Sequence, residues 1–390
     1  MAGRHFLQIP GPTNIPERVV RAMQHGLINH RGEDMPPLLE EVKRGLQRVF
    51  GTAAGEIVLA PGSGAGAMES SIVNTLEPGD RMVSFANGFF GWLYADLGRR
   101  LGVEVEEVAV PWGEAVPDDL VYERLRADRD HSVRAVTVVH NETSTGVTSD
   151  LGAVRAAIDA AGHPALLVAD TISGLGSMDF RFDEWGVDVA VCGSQKGLML
   201  PPGLAIACVS ERAITRCRAV STPRNAFDWR PVLDMAEVGF LPTTPPTSIL
   251  LGLREALRML AEEGLTEVYA RHARLAAAVR SAVAAWDLTT VCVDPERASS
   301  SVTAVLMPDG VDAEVAIRMA KRDLSLELAS AIGPLHGRAL RLGHLGSLNE
   351  LEVLATIGGA ELALAAAGCG VTLGAGLAAC QRALAARFLS

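Results

Sequence analysis

Four short segments carry residue types that could do chemistry, and they follow one another in a fixed order along the 390 residues. In the first, Pro61-Gly62-Ser63-Gly64-Ala65-Gly66 runs straight into the helix-like stretch AMESSIVNTL. Small residues there let backbone N–H groups at a helix N-terminus approach an anion, and the helix dipole favours a phosphate. A tight turn or a dinucleotide fingerprint would read the same way, whereas no G-K-[ST] follows, which removes Walker-type triphosphate hydrolysis. The second, Asn141-Glu142-Thr143-Ser144-Thr145-Gly146, clusters hydroxyl and amide groups after an apolar run, and is also readable as plain turn and N-cap chemistry. Asp170 ends the run ALLVAD. A carboxylate at a buried strand end is costly unless paired, so it either caps the following turn or meets a protonated ring nitrogen. Lys196, in Ser194-Gln195-Lys196-Gly197, lies between two apolar runs, where burial would lower its pKa and make it a nucleophile or general base.

One ligand accounts for all four. Pyridoxal phosphate needs a helix N-terminus for its phosphate, a donor for its phenolic oxygen, a carboxylate for its pyridinium nitrogen and a lysine for its aldehyde. Lysines are scarce here, since Lys43, Lys196 and Lys321 are the only ones among 35 Lys and Arg residues. Lys43 and Lys321 each sit beside an arginine in mixed-charge helical patterns and read as solvated surface.

The elements that must position these residues alternate. Nearly continuous apolar runs at 56–60, 81–86, 104–110, 135–140, 165–170 and 188–193 read as strands, most of them covered on both faces. Helical patterns at 35–50, 66–76, 92–101, 116–126 and 150–161 separate them, which predicts an α/β domain with a mostly parallel sheet. The run at 203–210 follows 188–193 too closely for a helical crossover, so those two strands are expected to be antiparallel neighbours. In such sheets sites form at the carboxyl ends of strands, where all four segments lie.

Past about residue 250 the pattern changes to helices at 249–263 and 268–286, strands near 289–293 and 302–307, and helices at 312–322 and 349–367. The expected organisation is an extended, proline-interrupted arm over 1–16, a large domain over 17–258 and a smaller α+β domain over 259–390.

Composition bounds the partners. With 48% hydrophobic residues the chain is not disordered, and a net charge of −11 spread along it does not suit a nucleic-acid binder. Its six cysteines show neither zinc spacing nor a disulfide framework and read as buried small hydrophobes in a reducing compartment. No metal site is expected. The N-terminus lacks an apolar signal core, and the Ala-rich stretch at 354–367 is short and carries Glu361, so a cytoplasmic protein is expected.

Taken with their neighbours, these segments resemble a known family. PGPTNIP at 10–16, NHR at 29–31, GSGAGAMES at 62–70, ANGFFG at 86–91 and HNETSTGV at 140–147 carry the resemblance. It continues through AD at 169–170, GSQKGLMLPPGLA at 193–205, TPPTSILLGLREAL at 244–257 and RLGHLGSLNELE at 341–352. The chain resembles the class V, fold-type I pyridoxal-phosphate aminotransferases, and within them the serine–glyoxylate and alanine–glyoxylate group. That resemblance implies a fold-type I large domain with a seven-stranded sheet. It also implies a homodimer in which the N-terminal arm and the Thr244 segment complete the partner's site.

The reaction implied takes the amino group of serine, alanine or aspartate and passes it to glyoxylate by a ping-pong cycle through pyridoxamine phosphate. The same family leaves room for another, specialised donor or for a lyase. Lyases there need a reactive cysteine on a mobile loop, and this chain offers none in a convincing context. Carried over by position, Lys196 would bind the aldehyde and shuttle the proton at the substrate Cα, and Asp170 would keep the ring nitrogen protonated. Ser63, Gly64, Ala65 and Gln195 would cradle the phosphate, with Thr244 reaching in from a neighbouring subunit. Thr143 would lie beside the phenolic oxygen, Ile172 and Phe90 would cover the two ring faces, and Arg341 would hold the substrate carboxylate. His140, Arg31 and His344 would be structural. One departure is plain: many relatives of that family have an aromatic residue or a Tyr-Thr pair ahead of the TP motif, where this chain reads Leu241-Pro242-Thr243-Thr244-Pro245.

Overall fold

The computed structural model describes residues 3–389. A seven-stranded sheet forms its centre, built from β1 (Glu56–Gly62), β2 (Arg81–Ala86), β3 (Glu104–Ala109), β4 (Val133–Val139), β5 (Leu166–Asp170), β6 (Val189–Gly193) and β7 (Gly203–Val209). The spatial order is β1-β7-β6-β5-β4-β2-β3. β7 runs antiparallel to both β1 and β6, and the other pairs are parallel, so six carboxyl ends share one edge of the sheet. The short link between β6 and β7 has this effect, because it turns the chain straight back beside the strand it has just left. β5 and β6 are buried along their whole length, whereas β3 at the sheet edge is half-exposed, which fits its Glu-rich sequence.

Helices cover the sheet on the expected segments. Met35–Phe50 shows how: Met35, Leu38, Leu39, Val42, Leu46, Val49 and Phe50 recur at helical spacing and are all buried, and Gly51, at φ 66°, ends the helix by donating to Arg48 O. Removing a leucine such as Leu46 from this packing would cost about 2–5 kcal/mol.

The smaller domain holds a three-stranded antiparallel sheet in the order Val302–Leu306, Ala339–Gly343, Ala329–Ser330, backed by helices Ala313–Leu324, Glu350–Ala366 and Ala375–Leu389. Residues 289–293, expected as a strand, make only an isolated bridge from Thr290 to Val305. The expected boundary at 258/259 falls inside the unbroken helix Thr247–Glu263. The large core extends to Val268 and the small one begins at Leu275, so the two part within the next helix, Leu265–Ala285. Among the described residues, no helix is long and apolar enough to cross a membrane.

The N-terminal arm joins the two domains. Phe6–Leu7 pairs in parallel with Leu326–Glu327, Phe6 packs on the small-domain core, and Gly343 N donates to Gln8 O at 2.8 Å. From there the arm crosses to the end of β6.

Candidate active site

Lys196 follows the end of β6 in a turn that the sequence makes rigid. Ser194 Oγ donates to Pro201 O at 2.8 Å and accepts from Leu204 N at 3.2 Å, closing the loop onto the start of β7. The arm covers this turn. Thr13 N donates to Gln195 O at 3.2 Å, Thr13 Oγ1 donates to Lys196 O at 3.1 Å, and Lys196 Nζ donates to Pro10 O. Gly11 has φ +107°, and a Cβ there would overlap the Lys196 side chain. Its pairing with residues 326–327 holds the arm on its own small domain, where it covers the lysine of its own chain.

Burial lowers the Lys196 amine from 10.5 to about 8, the Arg341 charge acts in the same direction, and Asp170 opposes both. Asp170, at the end of β5, is buried, and its Oδ1 accepts from Ile172 N at 2.8 Å. The turn-capping reading of this residue therefore holds, yet it uses one oxygen only. Burial lifts the carboxyl to about 7, with the Ile172 hydrogen bond and the Lys196 charge pulling it down and the Glu142 charge adding to the rise.

Between these groups lies a cavity of about 220 Å³, lined by Ser63, Gly64, Ala65, Met68, Phe90, Leu93, Asn141, Thr143, Asp170, Ile172, Ser173, Gln195 and Lys196. A wider cleft of about 690 Å³ lies elsewhere, edged by Arg21, His25, Asp34 and Arg254; it is open, and these charged residues are exposed or half-buried and none is a candidate for the chemistry above. The smaller cavity thus gathers the anion loop, the hydroxyl turn, the strand-end acid and the amine. Helix Gly64–Thr75 begins at its wall, and Ser63 makes no side-chain cap there. Gly64 is needed for close approach, since a Cβ would sit 2.9 Å from Ile172 Cδ1. Beside it the Gln195 Oε1 is buried with no partner among the described residues. An uncapped helix start supplies N–H donors, and the Gln195 amide, which makes no side-chain hydrogen bond among the described residues, can turn its NH2 group to an anion; together they form a cradle suited to a phosphate.

Arg341 lies on the small-domain strand Ala339–Gly343 and leans toward the cavity. Its Nε and Nη2 donate to Ser330 O at 3.0 and 2.7 Å, and Nη1 donates to Thr143 O at 3.3 Å. Only carbonyl oxygens meet this half-buried guanidinium; among the described residues no carboxylate pairs with it. Burial brings it down to about 10, with the Glu142 charge opposing.

Thr244 is not in the cavity of its own chain. It is exposed, with Oγ1 3.5 Å from His30 Nε2. Arg31 donates to Leu241 O at 2.7 Å and to Pro242 O at 3.1 Å, fastening the loop that leads to Thr244, and Leu241 is buried. His140 packs between the rings of Phe180 and Trp185 at 5.6 and 5.8 Å, and burial lowers it to about 4. His344 Nδ1 donates to Ser300 O at 3.0 Å while Nε2 accepts from Thr303 Oγ1 at 2.9 Å.

Met68, Leu93 and Ser173 wall the cavity without any mark in the sequence, and of the polar turn Asn141 lines it and Glu142 lies behind it, roles that the turn's composition does not assign. Asn141 Nδ2 donates to Ser173 Oγ and to Ser301 Oγ, both at 2.8 Å, which ties the cavity to the small domain. Its partners stand 32 and 160 positions away, so no local pattern could have pointed to them.

The description "Aminotransferase class-V" fits residues 5–331. The chain is 48% identical to a serine–glyoxylate aminotransferase of Methylorubrum extorquens over 97% of its own length and 95% of that protein. It is 43% identical to an L-aspartate–glyoxylate aminotransferase of Paracoccus denitrificans, covering 98% and 96%. Among solved structures, pyridoxamine–pyruvate aminotransferase from Mesorhizobium loti superposes with a TM-score of 0.92 at 27% identity, covering 99% of this chain and 98% of that one.

Proposed function

The chain belongs to the class V aminotransferases, and on that premise we propose that it transfers the amino group of serine, alanine or aspartate to glyoxylate, leaving glycine and a 2-oxo acid. Enzymes of this family work with pyridoxal 5′-phosphate. The residues present fit that group: an uncapped helix start with an idle Gln195 amide for the phosphate, a buried acid with one oxygen unused, and a buried amine, all on one cavity. When bound, the cofactor supplies an aldehyde that accepts an amino group and a ring that draws electrons from the substrate Cα.

The chain's own residues do the rest. Gly64, Ala65 and Gln195 bind the phosphate with N–H donors, and Ser63 adds a hydroxyl. Asp170 holds a proton at the ring nitrogen, and its burial strengthens that contact because water cannot screen it. Ile172 and Phe90 cover the ring faces and exclude water. Lys196, whose burial brings its amine down to about 8 so that a far larger share is neutral than for an ordinary lysine, anchors the aldehyde and then moves the proton at the substrate Cα.

Arg341 orients the substrate, and its unpaired guanidinium beside the cavity is the observation that carries the reading. A planar fork facing only carbonyl oxygens is poised for the α-carboxylate of an amino acid or oxo acid. Glyoxylate as acceptor draws support from the names of the two relatives. An exposed Thr244 on a loop fixed by Arg31 supports a homodimer in which each copy lends this hydroxyl to the other's phosphate. Six buried cysteines without a disulfide support a reducing, cytoplasmic setting, and none of them lines the cavity.

The test is an assay of purified protein, loaded with cofactor, against serine, alanine and aspartate as donors with glyoxylate. We expect glycine and the donor's oxo acid in equal amounts, and borohydride to fix the cofactor on Lys196. Release of ammonia or sulfide without glycine, or reduction that labels no lysine, would overturn the reading.

A further inference from the structure

Helix Phe89–Arg100 starts at the cavity wall, and its first N–H groups are satisfied from far along the chain. Gly88 offers them no side chain. Instead Ser144 Oγ accepts from Phe89 N at 3.0 Å, while Glu142 Oε2 accepts from Phe90 N at 2.9 Å and from Gly91 N at 3.2 Å. The other oxygen, Oε1, accepts from Ser144 N at 3.0 Å and Ser144 Oγ at 2.6 Å. Glu142 is fully buried. Burial raises its pKa on balance, with the four hydrogen bonds opposing the rise. Because backbone N–H groups can only donate, both oxygens must accept, which is the hydrogen bonding of a carboxylate. Gly88 leaves the room required, since a Cβ there would overlap the Glu142 side chain.

Glu142 and Ser144 flank Thr143 and turn toward the helix, while Thr143 lines the cavity and holds Arg341 through its carbonyl oxygen. Phe90, the second residue of the capped helix, forms part of the cavity wall. The same carboxylate therefore ties two pieces of cavity wall that are 52 positions apart in sequence.

We propose that Glu142 is a positioning residue for the cofactor ring, setting the separation of Phe90 and Thr143 from behind the cavity wall. The proposal rests on the aminotransferase reading above. Glu142→Gln keeps the size but places an NH2 group against backbone N–H donors on one side or the other, so either Ser144 N or the pair Phe90 N and Gly91 N loses its acceptor whichever way the amide turns, the Ser144 hydroxyl alone being able to turn and accept. Ser144→Ala removes one acceptor and one donor and is the milder change.

The experiment titrates pyridoxal 5′-phosphate into apo-protein of wild type and both variants, reading the equilibrium Kd and the visible circular dichroism induced in the bound ring. Thermal melts of the apo-proteins report folding. For Glu142→Gln we expect Kd to rise about ten-fold or more, with a weaker dichroic band even at saturation, and for Ser144→Ala a smaller change in the same direction. A folded Glu142→Gln protein with wild-type Kd and wild-type dichroism overturns the proposal. Should Glu142→Gln not fold, Ser144→Ala decides on the same two readouts. Failure of the wild type to bind the cofactor would overturn the aminotransferase reading instead, so the two failures are distinct.

Discussion

The amine of Lys196 should show its burial directly in the rate at which apo-protein captures pyridoxal phosphate. Only neutral amine attacks an aldehyde. With its pKa lowered from 10.5 to about 8, about one molecule in ten is neutral at pH 7, against roughly one in three thousand for an ordinary lysine, a gain of about 300-fold. The capture rate, followed by stopped-flow absorbance from pH 6 to 10, should climb ten-fold per pH unit and then bend to a plateau near pH 8. Lys196→Arg keeps a charge but cannot lose its proton, and should capture nothing.

Arg341→Met adds a second arm to the same assay. It removes a cation that disfavours the ammonium, so the bend should move to higher pH and capture at pH 7 should slow. Losing the guanidinium should also raise KM for amino acid and oxo acid together, because both present a carboxylate. A wild-type rate that keeps climbing to pH 10 would refute the reasoning about burial. A bend that moves downward in Arg341→Met would refute the assignment of the Arg341 charge as a cause.

Two further outcomes follow from neighbouring contacts. Gly11→Ala should slow capture by about 10–100-fold with the fold intact, since the new Cβ meets the Lys196 side chain at a left-handed φ; the stopped-flow trace and a thermal melt check both halves. Burial lowers His344 to about 3, against 6.5 when free. Above pH 6.5 it is neutral folded or unfolded, and as pH falls below that only the unfolded chain takes the proton, so its contribution is present above 6.5 and drains away toward pH 3. Urea unfolding of His344→Gln at several pH values should show a fall in stability shallower than wild type by up to about 1.4 kcal/mol per pH unit in that window; an equal slope would count against the buried neutral ring.

The parts of this site that were legible in the sequence are those fixed by neighbours in the chain. An apolar run followed by Asp170 or Lys196 places that residue at a strand end, and the antiparallel turn of β7 follows from a connection too short to cross over. Ser63 to Gly66 announce a helix start because small residues and the following helical pattern are adjacent. What stayed hidden depends on approach through space. Arg341 is one of many arginines, and its mark is the lack of a carboxylate partner, a property of three dimensions that only family resemblance could stand in for. Thr244 reads as an ordinary exposed threonine in one copy of the chain. Glu142 is the sharpest case: in the sequence it is one polar residue in a turn, and its work lies in backbone N–H groups 52 and 51 positions earlier. A buried acid in a strand-end turn, with no lysine or arginine spaced to pair with it, must find donors in the backbone, and a nearby helix start is where unpaired N–H groups are to be found.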